Sequence, residues 1–193
     1  MSRRRRGMSR RRRDMLALGA LLPGLALLPL RVLADAQPKP LPAEVAALLP
    51  DLRLRGGGLF RYWGFQVYYA WLWTPGGAPY DPARPFALDI EYLRRFSEEV
   101  LAERSIEEMR AQGRGSEALY PHWLRQMRRV FRDVKPGDRL TGVATPARHA
   151  RFYYNGALTG EIADPAFTDA FFAIWLSERT SQPRLRELLL GGR

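Results

Sequence analysis

Along residues 65 to 73 the side chains alternate, with Phe65, Val67, Tyr69, Trp71 and Trp73 on one face of an extended chain and Gln66, Tyr68, Ala70 and Leu72 on the other. Both faces are mostly apolar, which predicts a central strand covered by helices on one side and by another layer on the other. The whole stretch from residue 52 to 73 is rich in strand formers and punctuated by glycine. Gly56-Gly57-Gly58 predicts a bulge or a turn, and since no Lys-Ser/Thr pair or helix start follows, it is not a phosphate loop. A further strand is expected over residues 86 to 93, where Leu88, Ile90 and Tyr92 oppose Asp89 and Glu91.

The periodicity then changes. Ser97, followed by Glu98 and Glu99, opens a helix that stops at Gly113. A second helix follows Ser116, with Leu119, Trp123, Leu124, Met127, Val130 and Phe131 in one stripe and Arg125, Arg128, Arg129 and Arg132 on a solvated opposite face. Pro136-Gly137 makes a turn, and strands are expected over residues 139 to 144, 151 to 154 and 157 to 162, the last two joined by the hairpin signal Asn155-Gly156. Asp164-Pro165 starts a helix that buries Phe167, Phe171, Ile174 and Trp175, and a short helix over residues 183 to 190 ends at Gly191. Strands first and last, with helices between them, give hairpins rather than βαβ crossovers. The expected class is α+β with a large antiparallel sheet.

Residues 1 to 36 do not fit this domain. Two basic heptads, MSRRRRG and MSRRRRD, precede a 16-residue apolar run that contains Pro23, Gly24 and Pro29 and ends near Ala34-Asp35-Ala36, a small-x-small cleavage site. This is the pattern of a signal peptide, with Arg12-Arg13-Asp14-Met15-Leu16 resembling a twin-arginine signal, and it places the mature chain from about Gln37 in a bacterial periplasm. Residues 37 to 51, opening Gln-Pro-Lys-Pro-Leu-Pro, are read as an extended leader with one short helical turn from residue 43, and residues 52 to 193 as the folded domain. The address also accounts for most of the charge. Of the net +11, residues 1 to 36 carry nine Arg against Asp14 and Asp35, a net +7, which leaves +4 and removes the case for a nucleic-acid partner.

The absence of cysteine excludes disulfides, thiol catalysis and Cys-ligated metals, and two histidines leave little for any other metal site, so no cofactor or metal is expected. No Gly-x-Ser-x-Gly elbow, His-Glu-x-x-His or dinucleotide fingerprint occurs. Asp89 and Glu91 share a strand face and are read as solvated; His122 and His149 are read as structural. What remains is a dense set of aromatics, five Trp, eight Tyr and nine Phe, all beyond residue 36, with scattered Arg and Tyr hydroxyls able to anchor the polar end of an apolar ligand.

An ordered series of segments gives this balance a direction. RYWGFQVYYAWLW from Arg61, FALDIEYLRRF from Phe86, AERSIEEM from Ala102, DVKPGDRLTG from Asp133, RFYYNG from Arg151 and EIADPAF from Glu161 together resemble the bacterial branch of the chalcone isomerase-like family. The resemblance implies an open-faced β-sandwich in which helices pack on a large antiparallel sheet and enclose an apolar cleft. Plant members of that family cyclise chalcones with an Arg on the preceding strand and a Thr at the position that Tyr68 occupies here; other members bind fatty acids, an Arg and a Tyr holding the carboxylate. Carried over, Tyr68 becomes the ligand-binding Tyr, with Arg61 or Arg55 as its Arg. The expectation is a non-catalytic binder of a fatty acid or other apolar carboxylate. An intramolecular lyase or isomerase, and an envelope protein-interaction module with exposed Trp and Tyr, are the alternatives.

Overall fold

The computed structural model describes residues 39–192. The export signal read at residues 1 to 36 lies outside them, and among the described residues no helix is long and apolar enough to cross a membrane. Six strands, β1 (Leu52–Tyr62), β2 (Phe65–Pro75), β3 (Phe86–Tyr92), β4 (Arg139–Ala144), β5 (Ala150–Tyr154) and β6 (Ala157–Ile162), form one sheet in sequence order. Every neighbouring pair is antiparallel. The structure therefore shows the α+β class and the open antiparallel sheet that the periodicity predicts.

Helices α2 (Glu98–Ala111), α3 (Tyr120–Val130), α4 (Pro165–Leu176) and α5 (Pro183–Leu189) follow α1 (Ala43–Leu48) in the chain. Their ends agree with the caps in the sequence: Ser97 Oγ accepts from the Val100 N–H, and Asp164 accepts from the N–H groups of Ala166 and Phe167. Residues from α2, α3, α4 and α5 pack on one face of the sheet with Ala70, Leu72, Leu88 and Ile90. The opposite face, Trp71, Trp73, Ala87, Val143 and Tyr153, is covered by α1 and its neighbours through Val45, Leu41, Leu48 and Leu49. The two-sided burial expected of β2 thus has two different causes, and the second layer is the chain's own stretch from residue 39 to 51.

The three consecutive glycines do not form a turn. They lie inside β1, with a bulge between Leu54 and Gly56, and the hairpin turns at Trp63-Gly64, both at positive φ. Gly56 and Gly58 face α5, where a Cβ on Gly56 would stand 2.2 Å from the Leu188 carbonyl oxygen and 2.7 Å from that of Leu189, and Gly57 lies under the Trp71 ring of β2, 2.4 Å from where its Cβ would be. Gly56→Ala is accordingly expected to push α5 off the strand and to cost about 2 kcal/mol, as overpacking does; a denaturant midpoint within error of the parent's would contradict that packing.

Asp89 and Glu91 also differ from expectation. Asp89 is fully buried, not solvated. Its Oδ1 accepts from Arg139 Nη2 at 2.9 Å and from Thr141 Oγ1 at 2.9 Å, and Lys39 Nζ stands 3.7 Å from Oδ2. Lys39 also pairs with Glu91 and lies 3.8 Å from the centre of the Trp71 ring. The carboxylates of β3 are the anchor on which the chain before β1 is fastened. His149, read as structural, sits beside Glu161 with Nδ1 at 2.8 Å from its carboxylate.

Candidate functional site: an apolar cavity between sheet and helices

A cavity of about 340 Å³ lies between the helix-covered face of the sheet and helices α2 and α4. Its floor is Tyr68, Leu88, Ile90 and Tyr92 from β2 and β3, and its roof is Leu101 and Ser105 of α2 with Phe171 and Trp175 of α4. Phe131, Phe152 and Phe171 close the inner end, with ring centres 5.2 to 5.9 Å apart. The outer end lies between the β1–β2 hairpin, α2 and the loop before α5, where Tyr62, Val100, Arg104 and Ser181 all line the cavity and are exposed. Its size is that of a small-molecule site, with few polar groups in a mostly apolar wall. A larger cleft of about 620 Å³, bordered by Arg84, Arg114, Arg148, Arg179 and Arg186, is more polar and solvent-facing.

Of the side chains read from the sequence, Tyr68 reaches this cavity. Trp175 Nε1 donates to its hydroxyl oxygen at 2.9 Å, and the Tyr92 ring stands edge-on at 5.9 Å. Burial pushes the Tyr68 pKa well above the ordinary phenol range; the Trp175 hydrogen bond opposes the shift and the Glu108 charge adds to it. The hydroxyl therefore keeps its proton. With its oxygen already accepting from Trp175, that proton is free to be donated to a ligand.

Neither Arg61 nor Arg55 joins Tyr68 at the cavity wall. Phe60 and Tyr62 line the cavity, so strand alternation turns Arg61 between them to the opposite, exposed side. Arg55 is the extra residue of the β1 bulge and lies against Gly191, beyond α5, with Nη1 3.4 Å from the Gly77 carbonyl oxygen. The cation that does line the cavity is Arg104, on α2. Its guanidinium pairs with Glu107 at 3.0 Å and with Glu108 at 2.5 Å; burial lowers its pKa, but these carboxylates outweigh burial and hold it firmly charged. Glu107 is 60 % exposed, so that half of the arrangement is weak and exchangeable, whereas the Glu108 side chain is 10 % exposed and fixes the guanidinium at the wall.

Arg104 and Glu108 were not singled out in the sequence, and Trp175 was read there only as a buried residue of its helix. The signal available was helical: Leu101, Ser105 and Glu108 follow one another at spacings of four and three on α2, so two polar residues share a stripe with an apolar one. Among the described residues no group of three or more His, Asp or Glu side chains is arranged to hold a metal ion.

The fold and the cavity define an α+β protein whose single antiparallel sheet and overlying helices enclose a mostly apolar pocket lined by Arg104, Glu108 and the buried tyrosines Tyr68 and Tyr92. The chain belongs to the chalcone isomerase-like family, whose model matches residues 38–191. A Haemophilus influenzae protein described only as uncharacterized is 29 % identical over 130 residues, 67 % of this chain and 63 % of that protein, so the match spans less than two thirds of the relative. In three dimensions the chain is similar to an Arabidopsis thaliana fatty-acid binding protein, with a TM-score of 0.59 and 11 % identity, over 73 % of this chain and 87 % of that one. At that identity the likeness is one of fold.

Proposed function

We propose that this protein binds a long-chain apolar carboxylate, such as a fatty acid, in the sheet–helix cavity without transforming it, and does so in the periplasm after export. The observation that carries this reading is the cavity itself: a mostly apolar wall with Arg104, neutralised on one side by Glu108, and the Tyr68 hydroxyl among its few polar groups. The acyl chain lies along Leu88, Ile90 and the phenylalanines. The carboxylate takes the place of Glu107 on the outward edge of the Arg104 guanidinium and accepts the Tyr68 proton. An Arg that is already paired keeps its orientation without a ligand, so little ordering is lost on binding.

Palmitate titrated against the purified protein, with hexadecanol as the uncharged comparison, tests this. Arg104→Met is expected to weaken palmitate about tenfold, the worth of a charge-assisted hydrogen bond of roughly 1.5 kcal/mol, and to leave hexadecanol within twofold. Tyr68→Phe removes a neutral donor and should cost less; Arg61→Met and Arg55→Met should change palmitate affinity little. If Arg104→Met binds palmitate as the parent does, or the parent binds neither compound, the reading fails.

A further inference from the structure

Of the six large hydrophobic residues exposed among the described residues, Leu119 before α3 and Leu158 on β6 stand apart, and the other four gather at one place. Tyr62, Trp63 and Phe65 form the tip of the β1–β2 hairpin and are 58 %, 85 % and 64 % exposed; Val100, at the same cavity mouth, is 48 % exposed. Trp63 occupies the first position of a two-residue turn at φ 48°, a left-handed backbone that costs a bulky residue energy and drives the indole outward. Its ring stands edge-on to the Tyr62 ring, 6.4 Å away, and remains 85 % exposed. Cations lie along the hairpin and the neighbouring loop: Arg61 is exposed on β1, Arg94 lies 5.4 Å from the centre of the Phe65 ring, and Arg95 is exposed next to Arg94 in the chain. Arg94 Nε also donates to the Gln66 carbonyl at 3.1 Å, which ties the β3–α2 connection to the hairpin and holds the basic and aromatic groups together. The nearby Glu99 is already paired with Arg128.

We infer that this tip is a membrane-docking element: Trp63, Tyr62 and Phe65 enter the interface of a bilayer that carries anionic lipids, Arg61, Arg94 and Arg95 meet the headgroups, and the cavity mouth is brought against the acyl layer. Trp and Tyr favour the headgroup level, where the ring is buried and its polar edge stays wet, and basic residues are drawn to the negative surface. A convex tip suits this occupant better than a folded partner. Three rings at these exposures offer roughly 450 Å², about half of the ~800 Å² that one side of a stable protein interface buries. The placement also has a consequence for the proposed ligand, on whose binding this inference rests in part. A long-chain acid is far more soluble in a bilayer than in water, and Tyr62 belongs to both the tip and the cavity mouth. The docked protein exchanges its ligand with the bilayer directly rather than through solution.

The test measures co-sedimentation of the unliganded protein with phosphatidylcholine vesicles, with and without phosphatidylglycerol, and the transfer rate of an anthroyloxy-labelled fatty acid from protein to vesicle. Binding should require phosphatidylglycerol. Arg94→Gln and Arg95→Gln should each weaken it about fivefold, the worth of one basic residue at an anionic surface, and Trp63→Ser at least as much. Transfer should accelerate in proportion to vesicle concentration and slow in Trp63→Ser. These residues are exposed, so the variants should fold, which their thermal midpoints check. Vesicle binding that is absent in the parent, or unchanged in all three variants, overturns the docking role, and a protein complex captured by the parent and lost in Trp63→Ser, with no vesicle binding, reassigns the tip to a protein partner. Because sedimentation uses unliganded protein, vesicle binding without palmitate binding refutes the cavity reading alone, and palmitate binding without vesicle binding refutes docking alone.

Discussion

Ile90→Trp is expected to leave a folded protein that binds palmitate about a hundredfold more weakly than its parent. Ile90 is 4 % exposed on β3, opposite Ala70 of β2, and lines the cavity floor next to Tyr92. An indole there occupies space that the structure leaves open, so the overpacking cost that a filled core exacts is largely avoided. The same indole excludes part of the acyl chain. Displacing about four methylenes at ~0.8 kcal/mol each removes roughly 3 kcal/mol of binding, and 1.4 kcal/mol is a factor of ten. Isothermal titration with palmitate, beside a thermal melt, separates the two effects. A variant that melts like the parent and still binds palmitate with parental affinity shows that the acid lies elsewhere, and the arginine-bordered cleft at Arg84 and Arg114 becomes the place to look.

The second large effect concerns stability. Asp89→Ala removes the one fully buried carboxylate to which Arg139, Thr141 and Lys39 are directed. Breaking a buried ion pair from one side costs 3–5 kcal/mol in other proteins. Here the Arg139 side chain is 25 % exposed and has Glu44 Oε1 at 3.7 Å as a substitute partner, which places the expected loss at the lower end, about 3 kcal/mol. The loss has a location as well. Lys39 and Glu44 belong to the stretch that covers Trp71, Trp73 and Val143, so limited proteolysis should cleave before β1 in Asp89→Ala while the sheet and α2 to α5 persist. Asp89→Asn keeps an acceptor for Thr141 and should lose less. Equal stability of Asp89→Ala and the parent would mean that apolar packing alone holds the stretch from residue 39 to 51 in place.

Local rules located the elements well. Ser97, Asp164-Pro165 and Asn155-Gly156 each act within four residues of themselves, and each stands where its cap or turn chemistry requires. The alternation along β2 was equally legible, because its faces belong to two different cores, Ala70 and Leu72 in one and Trp71 and Trp73 in the other. The glycines of β1 were not legible as strand residues. Gly56 and Gly58 are there because of Leu188 and its neighbours in α5, about 130 positions away, and Gly57 because of the Trp71 ring. Asp89 was misread for the same reason: whether a carboxylate on a strand face is solvated depends on what covers that face, and the cover comes from residues 39 to 51.

Taken alone, the sequence determined the α+β class, the order and approximate extent of most strands and helices, the family and the face of β2 that Tyr68 shares with Ala70 and Leu72. All of these follow from periodicity, caps and ordered short motifs, which act over a few residues. Only the tertiary structure decided which Arg accompanies Tyr68. Arg61 and Arg55 are near Tyr68 in the chain, but alternation turns one to the exposed side and a bulge sends the other against Gly191, beyond the end of α5. Arg104, 36 positions further on, arrives at the same cavity because α2, packed beside α4, lines it with Leu101, Ser105 and Glu108. Partnership across a cavity is set by the packing of elements on one another, and that packing depends on contacts no single segment contains.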